Sequence, residues 1–474
     1  MNGPPNAPSP ECPNCAQMRK VMADLTEEVI ALREEVRELR ARLNQNSSNS
    51  SKPPSSDPLW KRRPPKPPTS NRPGGQPGHP GHFRKRLPPE QVDHVVPHAP
   101  THCEKCCAPL PATPQADDPP PRWHQVAELP ERLVKITEHQ AQGRHCPGCG
   151  HLTWASLPPE VAGHVLGPRL AAVLAYLTAR LHVTRRGIEE WAEEVLGLPL
   201  ALGTVSAYEA EMSAALEPAY RETVAAVQEA PAKNVDETGW KNSGVLIWLW
   251  VAATATAAVF RLHPDRGRRG LRAHLGCELK GVLTSDRWHA YTHLALSSWQ
   301  VCWAHLQRDF QGWVDRGGEG TALGQAGLAA ARDLFTLWHA FRSGKMTRSE
   351  LQAGLEPLKE RLRQALTEAR AGPERKAARF STRLLKIYPA LWNFALCEGV
   401  EPTNNHAERM LRPGVIWRKI SLGSQGAEGC RFVERMLTVV QTLRLQKRNV
   451  LDYLAQVLTN HRHGLPCPHL VPAT

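Results

Sequence analysis

Three short segments, far apart in the chain, each place a carboxylate where a divalent metal ion could use it. They are Val235-Asp236-Glu237-Thr238-Gly239-Trp240, Thr284-Ser285-Asp286-Arg287-Trp288 and Asn404-Asn405-His406-Ala407-Glu408-Arg409. The first two acids stand where apolar, strand-like runs end, and the third stands in a polar, basic stretch with helical character. Two strand-end aspartates and one helical glutamate can hold a pair of Mg²⁺ (or Mn²⁺) ions, which activate an attacking oxygen and steady a leaving one on phosphate. Each acid has rivals or a blander reading. Asp286, taken singly at a strand end, is more often a turn former or cap. Glu237 adjoins Asp236, but strand alternation turns it to the opposite face, which favours Asp236. Glu428 and Glu434 compete with Glu408, which is preferred because Asn404, Asn405 and His406 surround it with polar groups.

These acids need elements to bring them together. Strand-like runs cover residues 233–236, 245–253, 256–262, 280–285 and 299–303, with a basic helix over 265–275. The β-β-β-α-β-α-β order predicts a ribonuclease H-like mixed sheet whose first and fourth strands are neighbours, so that Asp236 and Asp286 lie side by side. No strand pattern follows from 306 to about 396. Helical runs at 326–341 and 350–371 fill that stretch and add basic surface at Arg361, Arg363, Arg375, Lys376 and Arg379. A helix beyond it must return Glu408 to the sheet. Arg412 lies one helical turn from Glu408 and can fork onto a phosphate, with Arg409, Arg418 and Lys419 nearby. His289, His305 and His406 read as positioning groups or as structural hydrogen-bonders. Trp248 and Trp250 read as core, whereas Trp240 and Trp288, beside the acids, are candidates for stacking on an unpaired base.

At 474 residues the chain is long enough for several domains, and its net charge of +13 with a pI near 9.3 favours a polyanionic partner, DNA first. The basic excess is uneven: between Lys52 and Arg86 nine Lys and Arg face one acid, Asp57. The polar, proline-rich residues 1–10 carry no secretory pattern, and the longest apolar stretch, 245–260, is too short to span a membrane. The 12 cysteines include three Cys-x-x-Cys pairs. Without a secretory context they predict reduced, partly metal-bound thiols in a cytoplasm rather than a disulfide framework.

Met22, Leu25, Val29, Leu32, Val36, Leu39 and Leu43 alternate spacings of three and four, a heptad seam that predicts a homo-oligomer through a coiled coil. Cys103-x-x-Cys106 and Cys146-x-x-Cys149 offer four thiolates for a structural, tetrahedral Zn²⁺, with a strand expected at 126–136 between them. Cys12-x-x-Cys15 is a third half-site. Helices broken at Leu196-Gly197-Leu198-Pro199-Leu200 suggest a helix-turn-helix, or a plain helical hairpin. The expected fold is multidomain α/β. A coiled-coil helix occupies 1–44, a disordered basic linker 45–95, a zinc-binding domain 96–155 and a helical DNA-binding domain 156–229. The first part of the catalytic core follows at 230–305, a helical insertion at 306–400, and the core's C-terminal helices and tail at 401–474.

Asp-Glu-Thr-Gly-Trp (236–240), Ser-Asp-Arg-Trp-His-Ala-Tyr (285–291), Cys-Trp-Ala-His-Leu-Gln-Arg-Asp-Phe (302–310) and Thr-Asn-Asn-His-Ala-Glu-Arg-Met-Leu-Arg-Pro-Gly-Val-Ile-Trp-Arg-Lys (403–419) together resemble the transposases of the insertion sequence 66 family. The resemblance extends to the zipper, the Asn-Ser-Ser and Gly-Gly-Gln-Pro-Gly-His segments and the paired Cys-x-x-Cys region. It implies a DDE enzyme with Asp236, Asp286 and Glu408 as its catalytic trio, DNA ends and target DNA as substrates, and accessory transposition proteins as partners. The competing expectations are a zinc-binding DNA regulator without catalysis, and a metal nuclease that cuts without joining.

Overall fold

The computed structural model describes residues 13–50, 57 and 86–471. Cys12 and the expected basic arm at 51–85, apart from Asp57, lie outside them. The chain divides into two compact units, one of residues 59–137 and one of residues 1–58 with 138–474.

The smaller unit has little regular structure. A 3-10 turn at Pro89–Gln91 and an isolated bridge between His102 and Pro109 are its regular features among the described residues. The strand expected at 126–136 does not form. Pro130 interrupts that run, and among the described residues of this unit no second strand is there to pair with it.

The larger unit begins with α1 (Pro13–Leu43), a single long helix. The hairpin β1 (Gly143–His145) and β2 (Leu152–Trp154) then frames the second Cys-x-x-Cys turn. Four helices follow: α2 (Pro168–Leu181), α3 (Arg185–Leu196), α4 (Leu202–Ala215) and α5 (Glu217–Glu229). Thr184 caps α3 by accepting from the Gly187 amide, and Gly197 ends it in a left-handed conformation, the start and stop that the sequence predicts.

The sheet is mixed and five-stranded, in the order β5-β4-β3-β6-β7. Its strands are β3 (Ala232–Asn242), β4 (Val245–Ala253), β5 (Ala258–His263), β6 (Val282–Ser285) and β7 (Trp299–Val301), with α6 (Arg268–Leu275) between β5 and β6. The first and fourth strands of the expected order, β3 and β6, are parallel neighbours. Two expectations need correction. First, β3 does not end at Asp236 but runs on to Asn242, because Thr238, Gly239 and Trp240 pair with Leu249, Trp248 and Ile247 of β4. Asp236 is therefore a mid-strand residue that has passed the last parallel rung, Asn234 with Thr284. Second, no α-helix separates β6 from β7. Turns after Asp286 and a 3-10 turn at Leu296–Ser298 fill the gap. Asp286 Oδ1 accepts from the Trp288 amide and the buried Ala290 and Tyr291 wedge those turns into the core.

The expected insertion is helical throughout: α7 (Trp303–Arg316), α8 (Gly320–Arg342), α9 (Arg348–Ala371), α10 (Arg375–Lys386) and the short α11 (Asn393–Leu396). The chain closes with α12 (Asn405–Ser421), α13 (Gly426–Leu445) and α14 (Val450–Arg462). Buried side chains form two clusters, one on each face of the sheet. Val235, Trp250 and Leu283 join Trp303, Phe310 and Leu334 on one side. Leu249, Val251 and Phe260 join Ala407, Leu411, Met436 and Leu437 on the other. Helices on both faces of one sheet is the layered solution that buries every apolar strand face. No helix among the described residues is long and apolar enough to cross a membrane.

Candidate active site

The register of the parallel pair brings two of the three acids near each other. Ala232 pairs with Val282, Lys233 with Leu283 and Asn234 with Thr284. Asp236 and Asp286 each follow that last rung by two residues, and the charge of Asp286 acts on Asp236. Gly281 makes this alignment possible. It adopts φ +69°, and a Cβ there would lie 2.2 Å from the Pro231 carbonyl oxygen, so only glycine lets β6 start so close to β3.

The third acid arrives on the first turn of α12. Ala407, Leu411, Gly414 and Trp417 form its buried stripe at helical spacing. A Cβ on Gly414 would lie 2.5 Å from Leu249, so the helix presses directly onto β4. Asn404 fixes its start: the side-chain amide donates to the Val235 carbonyl at 2.8 Å, its carbonyl accepts from Asn234 at 3.3 Å, and its own N–H reaches Cys302 Sγ at 3.1 Å. His406 holds the Thr254 carbonyl at 2.7 Å, a structural contact. Asn234, and by alternation Asp236, therefore face α12, while Val235 and Glu237 face the insertion.

Electrostatics link the acids. Burial pushes the Asp236 carboxyl well above its usual range, and the charges of Glu237, Asp286 and Glu408 push it further, in that order. Burial also raises Asp286, against the pull of the Trp288 amide, Arg266 and Arg287. The rival acids are engaged elsewhere. Glu434 accepts from the Leu262 amide at 2.7 Å, and Glu428 pairs with Arg431. Around Glu408, His305 Nδ1 and Arg308 each stand 3.8 Å from Oε1, too far for a hydrogen bond. That oxygen is buried and has no hydrogen-bond partner. Burial, then Arg308 and Arg287, lowers His305 to about 3, so its ring is neutral. Among the described residues no three or more His, Cys, Asp or Glu side chains are gathered closely enough to hold a metal ion as they stand.

Glu237 has a larger part than its neighbour's shadow suggests. It is buried, accepts from Tyr291 Oη at 2.6 Å and pairs with Arg266 at 3.0 Å. The Arg266 guanidinium in turn lies over Trp288 at 4.0 Å and Trp248 at 4.6 Å. Sequence reasoning missed this Tyr291–Glu237–Arg266 chain, and the Asn234–Asn404 clasp as well. The Asp-Glu doublet and the Trp-His-Ala-Tyr segment were the only signals for the first.

The other expected site residues are placed as follows. Arg409, Arg412 and Lys419 are exposed on α12. Arg418 is half-buried and donates to the Gly239 carbonyl, which ties it to β3. Trp288 is half-buried, with Arg266 over its ring. Trp240 is no stacking platform: it is 1% exposed and its indole N–H donates to Ser424. The helix pair α3–α4 has the expected break, but α4 carries no Lys or Arg and buries Val205, Tyr208, Glu209 and Met212.

The two described Cys-x-x-Cys turns have one geometry. The Cys103 amide donates to the Ala108 carbonyl and the Cys107 amide to the Cys103 carbonyl, both at 2.9 Å. In the other, the Cys146 amide donates to the His151 carbonyl at 2.9 Å and the Gly150 amide to the Cys146 carbonyl at 2.8 Å. The fifth position is left-handed in both, Cys107 at φ 56° and Gly150 at φ 72°. Backbone N–H groups of Cys106 and Lys105 lower the Cys103 thiol, and those of Gly148 and Cys149 lower Cys146. Both turns thus favour thiolate, the form that binds metal.

Cys103 and Cys106 lie in the smaller unit, and Cys146 and Cys149 in the larger. A family of unknown function matches residues 7–85. The chain is 25% identical over 252 residues to the uncharacterized protein y4qI of Sinorhizobium fredii, covering 47% of this chain and 45% of that protein. It is 24% identical over 413 residues to the uncharacterized protein y4hP of the same organism, covering 79% of this chain and 73% of that protein. The chain thus spans less than half of the first relative's length. The transposase IS66 family matches residues 163–431, a stretch that holds all three acids and more than half of the chain, and the protein belongs to that family.

Proposed function

We propose that this protein is a DDE-type transposase that cuts DNA at the ends of an insertion sequence and joins them to target DNA by phosphoryl transfer. The observation that carries the reading is the buried Asp236 carboxyl, raised first by its burial and then by the charges of Glu237, Asp286 and Glu408 around it. Three carboxylates act on the buried Asp236, and the buried Glu408 Oε1 lacks a hydrogen-bond donor among the described residues. Both suit a divalent cation. In this reading the sheet is a ribonuclease H-like catalytic core, and Asp236, Asp286 and Glu408 hold Mg²⁺ (or Mn²⁺). Such ions lower the pKa of an attacking oxygen and neutralise charge on the leaving one.

The chain's own residues supply position. In this reading the β3–β6 pairing and the Asn404 clasp would hold the strand and the helix that carry the acids, which supports an ordered site when substrate binds. Arg409, Arg412 and Lys419 lie on the helix that carries Glu408 and hold phosphates of the cut strand. Trp288 offers its uncovered surface to an unpaired base. The thiolates of each Cys-x-x-Cys turn, Cys103 with Cys106 and Cys146 with Cys149, serve as ligands to structural Zn²⁺. The apolar seam of α1 is exposed from Met22 to Leu43 and pairs with a second copy, which brings two DNA ends together.

An oligonucleotide assay with end DNA, target DNA and Mg²⁺ tests the reading. Joined products support it. Cut ends without joining make the protein a nuclease, and no product at all makes it a DNA-binding regulator. Asp236→Asn should abolish cleavage while end binding persists in a mobility-shift assay. Cleavage retained by that variant removes Asp236 from the mechanism.

A further inference from the structure

We infer that helix α10 of the insertion is a DNA-backbone track that continues the path of the duplex away from the catalytic acids. The inference takes its partner from the transposase reading.

The sequence of α10, Arg-Lys-Ala-Ala-Arg-Phe-Ser-Thr-Arg-Leu-Leu-Lys, contains no acid. Its buried side is Ala377, Ser381 and Leu384. On the other side Arg375, Arg379, Arg383 and Lys386 are all exposed, at spacings of four, four and three that align them along one face. Lys376 is paired with Glu38 at 2.6 Å, but none of the four stripe residues has an ion pair or hydrogen bond among the described residues. An acid at i±3 or i±4 could pair with such cations, and here the sequence offers none. The helix spans about 16 Å at 1.5 Å per residue. Four cations spread over that length can each reach a phosphate of the duplex backbone.

The position of α10 relates this stripe to the chemistry. Phe380, on its packed side, meets Phe310 at 5.8 Å and Trp313 at 5.7 Å, both on α7. Arg287 lies over the Phe380 ring at 5.1 Å, and Arg287 directly follows Asp286. After α10 the chain enters the 3-10 turn at Tyr388–Leu391. There the Leu391 carbonyl accepts from Gln300 at 3.1 Å and from Trp303 at 2.8 Å, which fastens the turn to β7. The stripe is therefore rigidly connected to the sheet and joined through one side chain to a catalytic acid's neighbour. A membrane surface is the less fitting partner. An interfacial helix needs a free apolar face, and none of the exposed large apolar side chains belongs to α10.

The test measures binding of the full chain to a duplex of arbitrary sequence across a salt series. Wild type is compared with Arg375→Gln/Arg379→Gln/Arg383→Gln/Lys386→Gln. Each lost phosphate contact lowers the slope of log K against log salt by about 0.9, so the slope should fall by about 3 to 4. The charge-preserving Arg375→Lys/Arg379→Lys/Arg383→Lys should keep it. A second control, Arg332→Gln/Arg342→Gln, neutralises two insertion arginines that already have acid partners and should change the slope by less than one contact. An unchanged slope in the glutamine variant overturns the inference. So does equal loss in the lysine variant or in the second control, or loss of binding to phosphatidylserine vesicles with DNA binding intact. If wild type joins no strands while the glutamine variant still loses its slope, the transposase reading fails and the DNA track stands.

Discussion

Asn404 donates its side-chain amide to the carbonyl of Val235 at 2.8 Å, one residue before Asp236. A helix that begins 170 residues downstream of β3 is thus clamped to the strand beside its first acid. The contact is short, buried and reciprocal, since Asn234 answers with a hydrogen bond to the Asn404 carbonyl. Asn404→Ala removes both bonds and leaves a buried carbonyl without its donor, at a cost of about 1–3 kcal/mol. Chemical denaturation should show that loss. Cleavage should fall by roughly 100-fold through misplacement of Glu408, with DNA affinity unchanged. Wild-type cleavage by a destabilised Asn404→Ala protein would mean that the clasp serves the fold alone.

His274 gives a pH dependence that is independent of the acids. It is 1% exposed, both ring nitrogens lack hydrogen-bond partners, and burial, aided by Arg261, lowers it to about 3. The unfolded chain binds a proton near 6.5 that the folded chain resists. Stability is therefore full above about 6.5 and declines as pH falls towards 3, by about 1.4 kcal/mol per unit. Between pH 6.5 and 5 this group removes about 2 kcal/mol. His274→Phe should flatten that part of the curve in urea titrations. An unchanged acid limb would assign the effect to other groups.

The matching Cys-x-x-Cys turns predict metal-bound thiolates. Cys146→Ser and Cys103→Ser should each lower the zinc content of the purified chain, because a turn that has lost a thiolate binds metal far more weakly. Elemental analysis of the purified proteins decides it. Zinc content unchanged in either variant counts against that turn as a pair of zinc ligands.

The seam of α1 predicts self-association. Glu34 pairs with Arg316 and Glu38 with Lys376, so the polar side of the helix is held by the chain itself while Leu25, Leu32 and Leu39 stay exposed. Leu25→Glu/Leu32→Glu places charge in the seam and should halve the mass seen by sedimentation. A wild-type protein that is already monomeric would remove the zipper from the account.

Much of the site was legible because it depends on local pattern. The apolar run 245–253 coincides with β4 to the residue. The strand-helix alternation predicted that β3 and β6 would be neighbours, as they are. What sequence could not give lies in long-range contacts. The length of β3 was hidden because Thr238-Gly239-Trp240 has no apolar alternation, and its strand character comes from β4 alone. Trp240 looked available for a base because it adjoins the acids, yet its place is decided by Ser424, 184 residues away. The Glu237–Tyr291–Arg266 chain joins three separate loops and strands, so no window of sequence contains it.

The central claim is that Asp236, Asp286 and Glu408 converge on one divalent ion site. Replacing Mg²⁺ by Fe²⁺, and then adding ascorbate and peroxide, cuts the backbone close to wherever the iron is held. The account predicts cuts near residues 236, 286 and 408 together, all suppressed by excess Mg²⁺ and all lost in Asp286→Asn. Cuts confined to one of the three segments, or a pattern that Asp286→Asn leaves unchanged, would contradict it.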